Sequence, residues 1–304
     1  MEIEVIKVRL PLENAPDFAN VYLVDTSTNP VLIDAGFISN EHAEELYEKV
    51  GNIKDVLITH HHIDHVGLVF WKEIDAYMNE NDVKFLEMYV NPKRFFKPYM
   101  DWMDKYGIEF EFIKPLASAL TTESKKQKME IRAKVNCLID EIFGFNVIFT
   151  PGHSPGHVCF YKDKLLFAGD LVLSDTTTHV GYYPEYSQNP MKDQIESLNK
   201  LLNLEIDVIY PAHEKTIKNP EKRISELIEH YRSRIDEVFQ VLDEKPMKAV
   251  EVAEKVSWHR NFNELKGWDK LLAIGETLAC LKYLVDEGKI KEVIINNTIG
   301  FSKI

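Results

Sequence analysis

The sequence predicts an α/β protein with a strand-rich body and a small helical tail, and three observations carry that expectation. Short apolar runs of strand length recur through residues 3–60 and again through 145–211, most of them closed by Gly, Pro or Asp. Segments with helical apolar spacing sit between those runs. Beyond Pro220 the pattern changes to sustained three–four spacing, followed by one alternating hairpin. At 304 residues the chain can bury one large core, or a medium one and a small one. Its 45% hydrophobic and 28% charged residues place it with globular proteins.

In the first block, Ile3–Leu10 alternates, Val21–Asp25 follows, and Val31–Asp34 is an apolar run ending in Ala35-Gly36. Ser39–Val50 has helical spacing, with Ala43, Leu46, Tyr47 and Val50 on one face and Ser39 or Asn40 as N-cap. Val56-Leu57-Ile58 reads as a buried strand. In the second block, Phe145–Thr150 runs into Pro151-Gly152-His153, and Val158–Tyr161 pairs with Leu165–Ala168 across Lys162-Asp163-Lys164. Asn189–Leu202 is helical in pattern, and Val208-Ile209-Tyr210 is a strand leading to Pro211-Ala212-His213.

Residues 92–143 form an insertion of different composition, read mostly as helices with an exposed linker at Thr121–Lys128. Its aromatics Phe95, Phe96, Tyr99 and Trp102 either pack inward as a cap or wall a substrate pocket. The tail, 221–304, carries a long stripe from Ile224 to Leu242, a short helix at Ala249–Val256 and a third helix through Leu271, Ile274, Leu278, Leu281 and Val285. Gly288 stops that helix, and Ile290–Ile304 turns at Asn296-Asn297, a hairpin signal. Three helices and a hairpin suggest a winged-helix-like domain at 221–304 after a body at 1–220.

The chemistry concentrates at Thr59-His60-His61-His62-Ile63-Asp64-His65. For this composition, His-x-His-x-Asp-His arises by chance on the order of once in a thousand chains. Imidazole and carboxylate are the ligands that divalent ions such as zinc prefer, and a metal relieves the conflict of so many ionisable groups crowded together. His60 and His62, two apart, face the same way and can take one ion. Asp64 and His65 point to a neighbouring position, so the spacing suits two adjacent ions. His153 can complete the first set, His213 the second, and Asp170 is placed to bridge them. Each of these groups sits just past a strand, where functional residues concentrate.

A net charge of −13 disfavours broad capture of nucleic acid or anionic lipid. The charged N-terminus lacks the apolar run of a signal peptide, and no run is long enough to span a membrane. Three scattered cysteines, Cys137, Cys159 and Cys280, read as small buried hydrophobes in a reducing cytoplasm.

These motifs, in this order over residues 3–215, resemble the metallo-β-lactamase superfamily. The resemblance implies an αββα sandwich with two metals at one edge: His60, His62 and His153 on the first, Asp64, His65 and His213 on the second, Asp170 bridging. Asp64 in place of a cysteine is similar to the glyoxalase-II-like hydrolases, and His-x-His rather than His-x-Glu argues against the di-iron redox branch. The tail resembles the winged-helix appendage of some members, one of them a ribonuclease. The implied cofactor is two zinc ions, with manganese or iron as substitutes, and the implied reaction is attack by a bridging hydroxide on a small ester, thioester or lactone. Asp64 would orient the nucleophile and help protonate the leaving group.

Two other functions share the motif. A nuclease or phosphodiesterase would need a basic groove, for which Lys125, Lys126 and Lys128 form the compact basic cluster. A sulfur dioxygenase would hold one iron through His60, His153 and Asp170. The nearly balanced charge of the tail favours an interface or pocket-wall role over a nucleic acid partner, and a homodimer stays open. Among the remaining candidates, His61 and His157 read as packing or supporting residues. Asp34 serves either a turn or a hydrogen bond from a metal-binding imidazole. His42, His230 and His259 belong at surfaces, and His179, Tyr182, Tyr183 and Tyr186 on a loop that either packs or touches substrate.

Overall fold

The computed structural model describes residues 2–11, 16–26, 29–112, 129–184, 186–265 and 267–304. In chain order the elements are β1 (Ile3–Arg9), β2 (Phe18–Val24), β3 (Val31–Ile33), α1 (Asn40–Val50), β4 (Asp55–Leu57), α2 (Gly67–Trp71), β5 (Asp75–Met78), α3 (Glu80–Val90) and α4 (Lys93–Tyr106). There follow β6 (Lys134–Cys137), β7 (Glu141–Ile142), β8 (Phe145–Phe149), β9 (Val158–Lys162), β10 (Leu165–Gly169), α5 (Pro190–Leu202), β11 (Val208–Pro211) and α6 (Pro220–Val241). The last are β12 (Met247–Lys248), α7 (Ala249–Ala253), α8 (Trp268–Asp286), β13 (Ile290–Ile295) and β14 (Thr298–Lys303).

The chain divides into two compact units. The first comprises Met1–Val90, Met129–Thr178 and Ser197–Leu227 and contains both large sheets. One is six-stranded in the order β1 to β6, and the other is five-stranded in the order β11-β10-β9-β8-β7. Strand alternation builds its two apolar layers. Along β2 to β4, Tyr22, Val24, Val31, Ile33 and Leu57 join Phe145, Val158, Phe160 and Phe167 of the second sheet. Val21, Leu32 and Val56, one position off, join Ala43 and Leu46 of α1, Leu68 and Val69 of α2 and Leu86 of α3. A strand buried on both faces reads as a continuous apolar run, which is what these segments show.

Local chemistry fixes the ends of these elements. Ser39 caps α1, its hydroxyl accepting from the His42 N–H at 3.3 Å. The β9–β10 hairpin turns on Asp163 and Lys164, both at positive φ (51° and 62°), as a two-residue turn between antiparallel strands requires. Parallel β3, β4 and β5 end together, so the segments after β3 and β4 leave the sheet on one side.

Within 92–143 the structure departs from the helical expectation. Residues 93–106 are helical, but β6 pairs in parallel with β5 from Asp75↔Lys134 to Met78↔Cys137, and β7 pairs with β8. These are edge strands of four and two residues, too short for periodicity to register. The linker expected at Thr121–Lys128, with Lys125, Lys126 and Lys128, lies outside the described residues. Cys159 and Cys280 are buried as expected, whereas Cys137 is exposed because β6 is an edge strand.

The second unit comprises Asn91–Lys128, His179–Glu196 and Ile228–Ile304. It holds a three-stranded sheet in the order β12-β14-β13, with Asn296 and Asn297 at positive φ in the closing turn. Helix α8 is buried along Leu271, Ile274, Leu278, Leu281 and Leu284, and the Tyr106 ring of α4 stacks on Phe301 of β14. No helix among the described residues is long and apolar enough to cross a membrane.

Candidate metal centre

Asp34 and Thr59 set the geometry in which the histidine segment leaves the first sheet. Asp34, just past β3 at φ 63°, accepts from the Thr59 N–H at 2.8 Å and the Thr59 hydroxyl at 2.9 Å. Asp is among the few residue types that tolerate this left-handed conformation. The segment ends at Gly67, the first residue of α2, where an added Cβ would lie 2.3 Å from the Phe37 carbonyl oxygen. Only glycine allows that approach.

The structure brings all seven expected groups together, in two sets. Ligand-type atoms of His60, His62, His153 and Asp170 lie within 4.8 Å of one another, and so do those of Asp64, His65 and His213. In the first set, His60 Nε2 is 3.0 Å from His62 Nδ1 and 3.9 Å from Asp170 Oδ2, and His153 Nε2 is 3.4 Å from that same oxygen. In the second, His213 Nε2 is 3.3 Å from Asp64 Oδ2, and His65 Nε2 is 3.6 Å from Asp64 Oδ1. Asp170 turns its other oxygen, Oδ1, to this set, 3.4 Å from His213 Nε2 and 3.7 Å from His65 Nε2. One carboxylate therefore divides its two oxygens between the sets.

The far side of several imidazoles is already engaged, which fixes which nitrogen faces inward. His65 Nδ1 donates to Asp34 Oδ2 at 2.9 Å, and His213 Nδ1 donates to the Phe18 carbonyl at 2.9 Å. His60 Nδ1 meets the Thr59 hydroxyl at 3.0 Å. Asp34 is thus the acceptor behind a candidate ligand, and its turn conformation is the means of putting it there.

Burial and the surrounding imidazoles push His60 well below its ordinary value, so it is neutral. Burial would lower His65 and His213 too. The carboxylates outweigh it: Asp34, Asp64 and Asp170 raise His65 to about 10, and Asp170 and Asp64 raise His213 to about 9. Against burial, the same imidazoles hold Asp64 and Asp170 below the usual carboxylate range.

The residues fit metal ions. His65 Nε2 and Asp170 Oδ1 are buried and have no hydrogen-bond partner among the described residues, although buried polar atoms are normally satisfied. Five inward imidazoles and two carboxylates form a donor set suited to zinc, manganese or iron.

Several supporting residues complete the site. His157 is buried and lowered to about 3 by burial, hence neutral; its Nε2 accepts the Asp170 N–H at 3.2 Å while Nδ1 donates to the Thr150 hydroxyl at 2.9 Å. Glu214 binds the segment after Asp170 through Ser174 Oγ at 3.1 Å, the Asp175 N–H at 2.5 Å and the Thr176 N–H at 3.1 Å. His61 faces away from the ligand atoms, stacked on Phe85 at 4.4 Å and bonded to buried Asp82. Asp82 and Glu214 have no local signature: acids near a helix start or in a loop are ordinary solvated residues. His259 is exposed, and His42 bonds Ser39 Oγ at 2.6 Å. In the second unit, Tyr183 is buried beside Tyr99 and Trp102 and meets His179 Nε2 at 2.9 Å; Phe95 is buried and Phe96 exposed.

The sequence profile of the metallo-β-lactamase superfamily matches residues 14–71 and 73–213, which include every residue of both sets. The chain belongs to the metallo-β-lactamase superfamily. It is an enzyme, a hydrolase of that superfamily. It is 28% identical to the "Probable metallo-hydrolase YqjP" of Bacillus subtilis (strain 168), over 98% of this chain and 97% of that protein. It is 26% identical to the "Atrochrysone carboxyl ACP thioesterase" of Aspergillus fumigatus, over 73% of this chain and 59% of the fungal one. A metallo-β-lactamase family protein of Thermus thermophilus superposes with a TM-score of 0.80 at 25% identity, over 99% of this chain and 98% of its own.

Proposed function

We propose that the chain is a dinuclear metal hydrolase, with zinc as the metal, acting on a small ester, thioester or lactone. In this reading His60, His62 and His153 would hold one ion and Asp64, His65 and His213 the other, with an oxygen of Asp170 available to each. The observation that carries it is the split of the Asp170 carboxylate, Oδ2 toward His60 and His153 and Oδ1 toward His65 and His213. When bound, such a pair supplies a nucleophile at neutral pH and positive charge for the oxyanion that develops.

The chain's own residues do the rest. Asp64 is ionised, so its oxygens can accept a hydrogen bond from an attacking water and orient it. Asp34, behind His65, and the Phe18 carbonyl, behind His213, keep each Nε2 turned inward. His157 fixes the Asp170 backbone and Glu214 the segment that follows it. The thioesterase relative supports an acyl substrate, and the acidic chain, at −13, fits a small substrate better than a polyanion.

Within residues 221–304 the order of helices and the three-stranded sheet fit a winged-helix-like module, and the near-neutral charge of that span supports an interface role. Three free cysteines fit a reducing cytoplasm. Zinc-loaded protein assayed on p-nitrophenyl esters, lactoylglutathione, lactones, bis-p-nitrophenyl phosphate and short RNAs tests the reading. Acyl substrates should turn over fastest. Preferential cleavage of the phosphodiesters, or one redox-active iron per chain, would contradict it.

A further inference from the structure

Outside the ligand sets, the Asp82 carboxylate in the first turn of α3 is a heavily engaged buried charge. Its side chain is fully buried, and it receives hydrogen bonds from two distant chain segments. From the first segment come the His61 N–H at 2.9 Å and His61 Nδ1 at 3.0 Å, both to Oδ2. From the second come the Ser154 hydroxyl at 2.7 Å, also to Oδ2, and the Gly156 N–H at 2.6 Å to Oδ1. His61 stands between His60 and His62, and Ser154 follows His153. The donors are therefore the chain neighbours of all three imidazoles in the first set.

Two further observations show that the approach is built. Tyr89, two turns along α3, donates its hydroxyl to the His61 carbonyl at 3.1 Å, so one helix holds residue 61 by its N–H, its ring and its C=O. A Cβ at Gly156 would lie 2.6 Å from the Asp82 nitrogen and 2.7 Å from Asp82 Oδ1, so the second segment reaches the carboxylate only as glycine. The bonds of Asp82 run to His61, Ser154 and Gly156, whereas the carboxylate behind His65 in the other set is that of Asp34. A buried carboxylate left with fewer donors is costly, and donors left without it are costly too, so these two segments have little freedom to separate.

We infer that Asp82 is the positioning residue of the His60, His62 and His153 set, holding two chain segments at the spacing one metal ion needs. The inference rests on the dinuclear reading above. It gives the His60, His62 and His153 position a support, Asp82, beyond the Asp34 carboxylate that reaches His65 directly and His60 through Thr59, and so makes the positions separable by mutation at a residue that touches neither ion.

The test is Asp82→Asn, which keeps the side-chain shape but replaces one acceptor oxygen with a donor. Metal-free wild type and variant are titrated calorimetrically with zinc, and crystals equilibrated at limiting zinc give the occupancy of each position from anomalous scattering. The inference predicts a loss of about 10–100-fold in affinity at the His60, His62, His153 position, the range typical of residues that hold ligands in place. The Asp64, His65, His213 position should keep its wild-type affinity. Asp82→Glu, which keeps the charge, should recover part of the loss. If Asp82→Asn does not fold, Ser154→Ala removes one of the four bonds and should weaken the same position several-fold. Equal weakening of both positions, or of neither, in a folded variant overturns the inference. A wild type that binds fewer than two ions overturns instead the reading beneath it, and the inference with it.

Discussion

Loading metal into the Asp64, His65 and His213 set should expel protons, in a number set by the charges around it. With His65 raised to about 10 and His213 to about 9, both are imidazolium in the metal-free protein at pH 7. An imidazolium has no lone pair to give, so each must lose a proton before it can ligate. At roughly 1.4 kcal/mol per pH unit, deprotonation at pH 7 opposes binding by about 4 kcal/mol at His65 and about 3 kcal/mol at His213. About two protons should therefore leave as one divalent ion enters, an exchange that conserves the charge of the set. Apparent affinity should climb about a hundredfold per pH unit between pH 7 and 9. His60, held neutral by burial, has no proton to lose. Zinc titrations of metal-free protein in buffers of differing ionisation enthalpy count the protons directly. The step that fills the Asp64, His65 and His213 set should release about two. A count near zero on both steps would refute the reasoning.

The same charges predict the pH response of the metal-free fold. His65 and His213 are raised above the ordinary 6.5, so their contribution is complete below that pH and is lost as pH rises through about 9 and 10. The midpoint of thermal unfolding should accordingly fall from pH 7 to 10 without metal and less so with zinc; equal profiles would contradict this. Asp64→Ala should lower turnover by about 10²–10⁴-fold with an unchanged circular dichroism spectrum, the range for loss of a group that orients and shuttles protons. Near-normal turnover in that variant would count against the assignment. Gly169→Ala forces a Cβ to within 2.6 Å of His157 Nε2 and 2.9 Å of Thr59 at φ +50°. It should destabilise the protein by about 1–3 kcal/mol, and an unaltered denaturation midpoint would show that the site yields more easily than its packing implies.

The site was legible where chemistry and spacing are local. Four of the seven ligand-type residues fall within six positions, and Pro-Gly-His, Gly-Asp and Pro-Ala-His each follow a strand that the apolar runs reveal. The hairpins were legible for a related reason: Asp163, Asn296 and Asn297 are residue types that tolerate the left-handed conformations they adopt. Strands β6 and β7 were not, because pairing with β5 and β8 makes them strands, and their own patterns are too short to show it. Asp82 was hidden for a deeper reason. An acid at the start of a helix is common, and donors 21, 72 and 74 residues away, on His61, Ser154 and Gly156, turn it into a buried acceptor. Asp34 lies between these cases: its position is readable, but the choice between turn and acceptor is made by His65 Nδ1, 2.9 Å away.

Anomalous diffraction at the zinc edge, on crystals of zinc-loaded protein, tests the central claim most directly. Two peaks should lie about 3.5–4 Å apart, the usual spacing of a hydrolytic metal pair. One should sit among His60, His62 and His153, the other among Asp64, His65 and His213, with Asp170 between them. A single peak at full zinc saturation, or peaks that leave His153 or His213 unligated, would contradict the account.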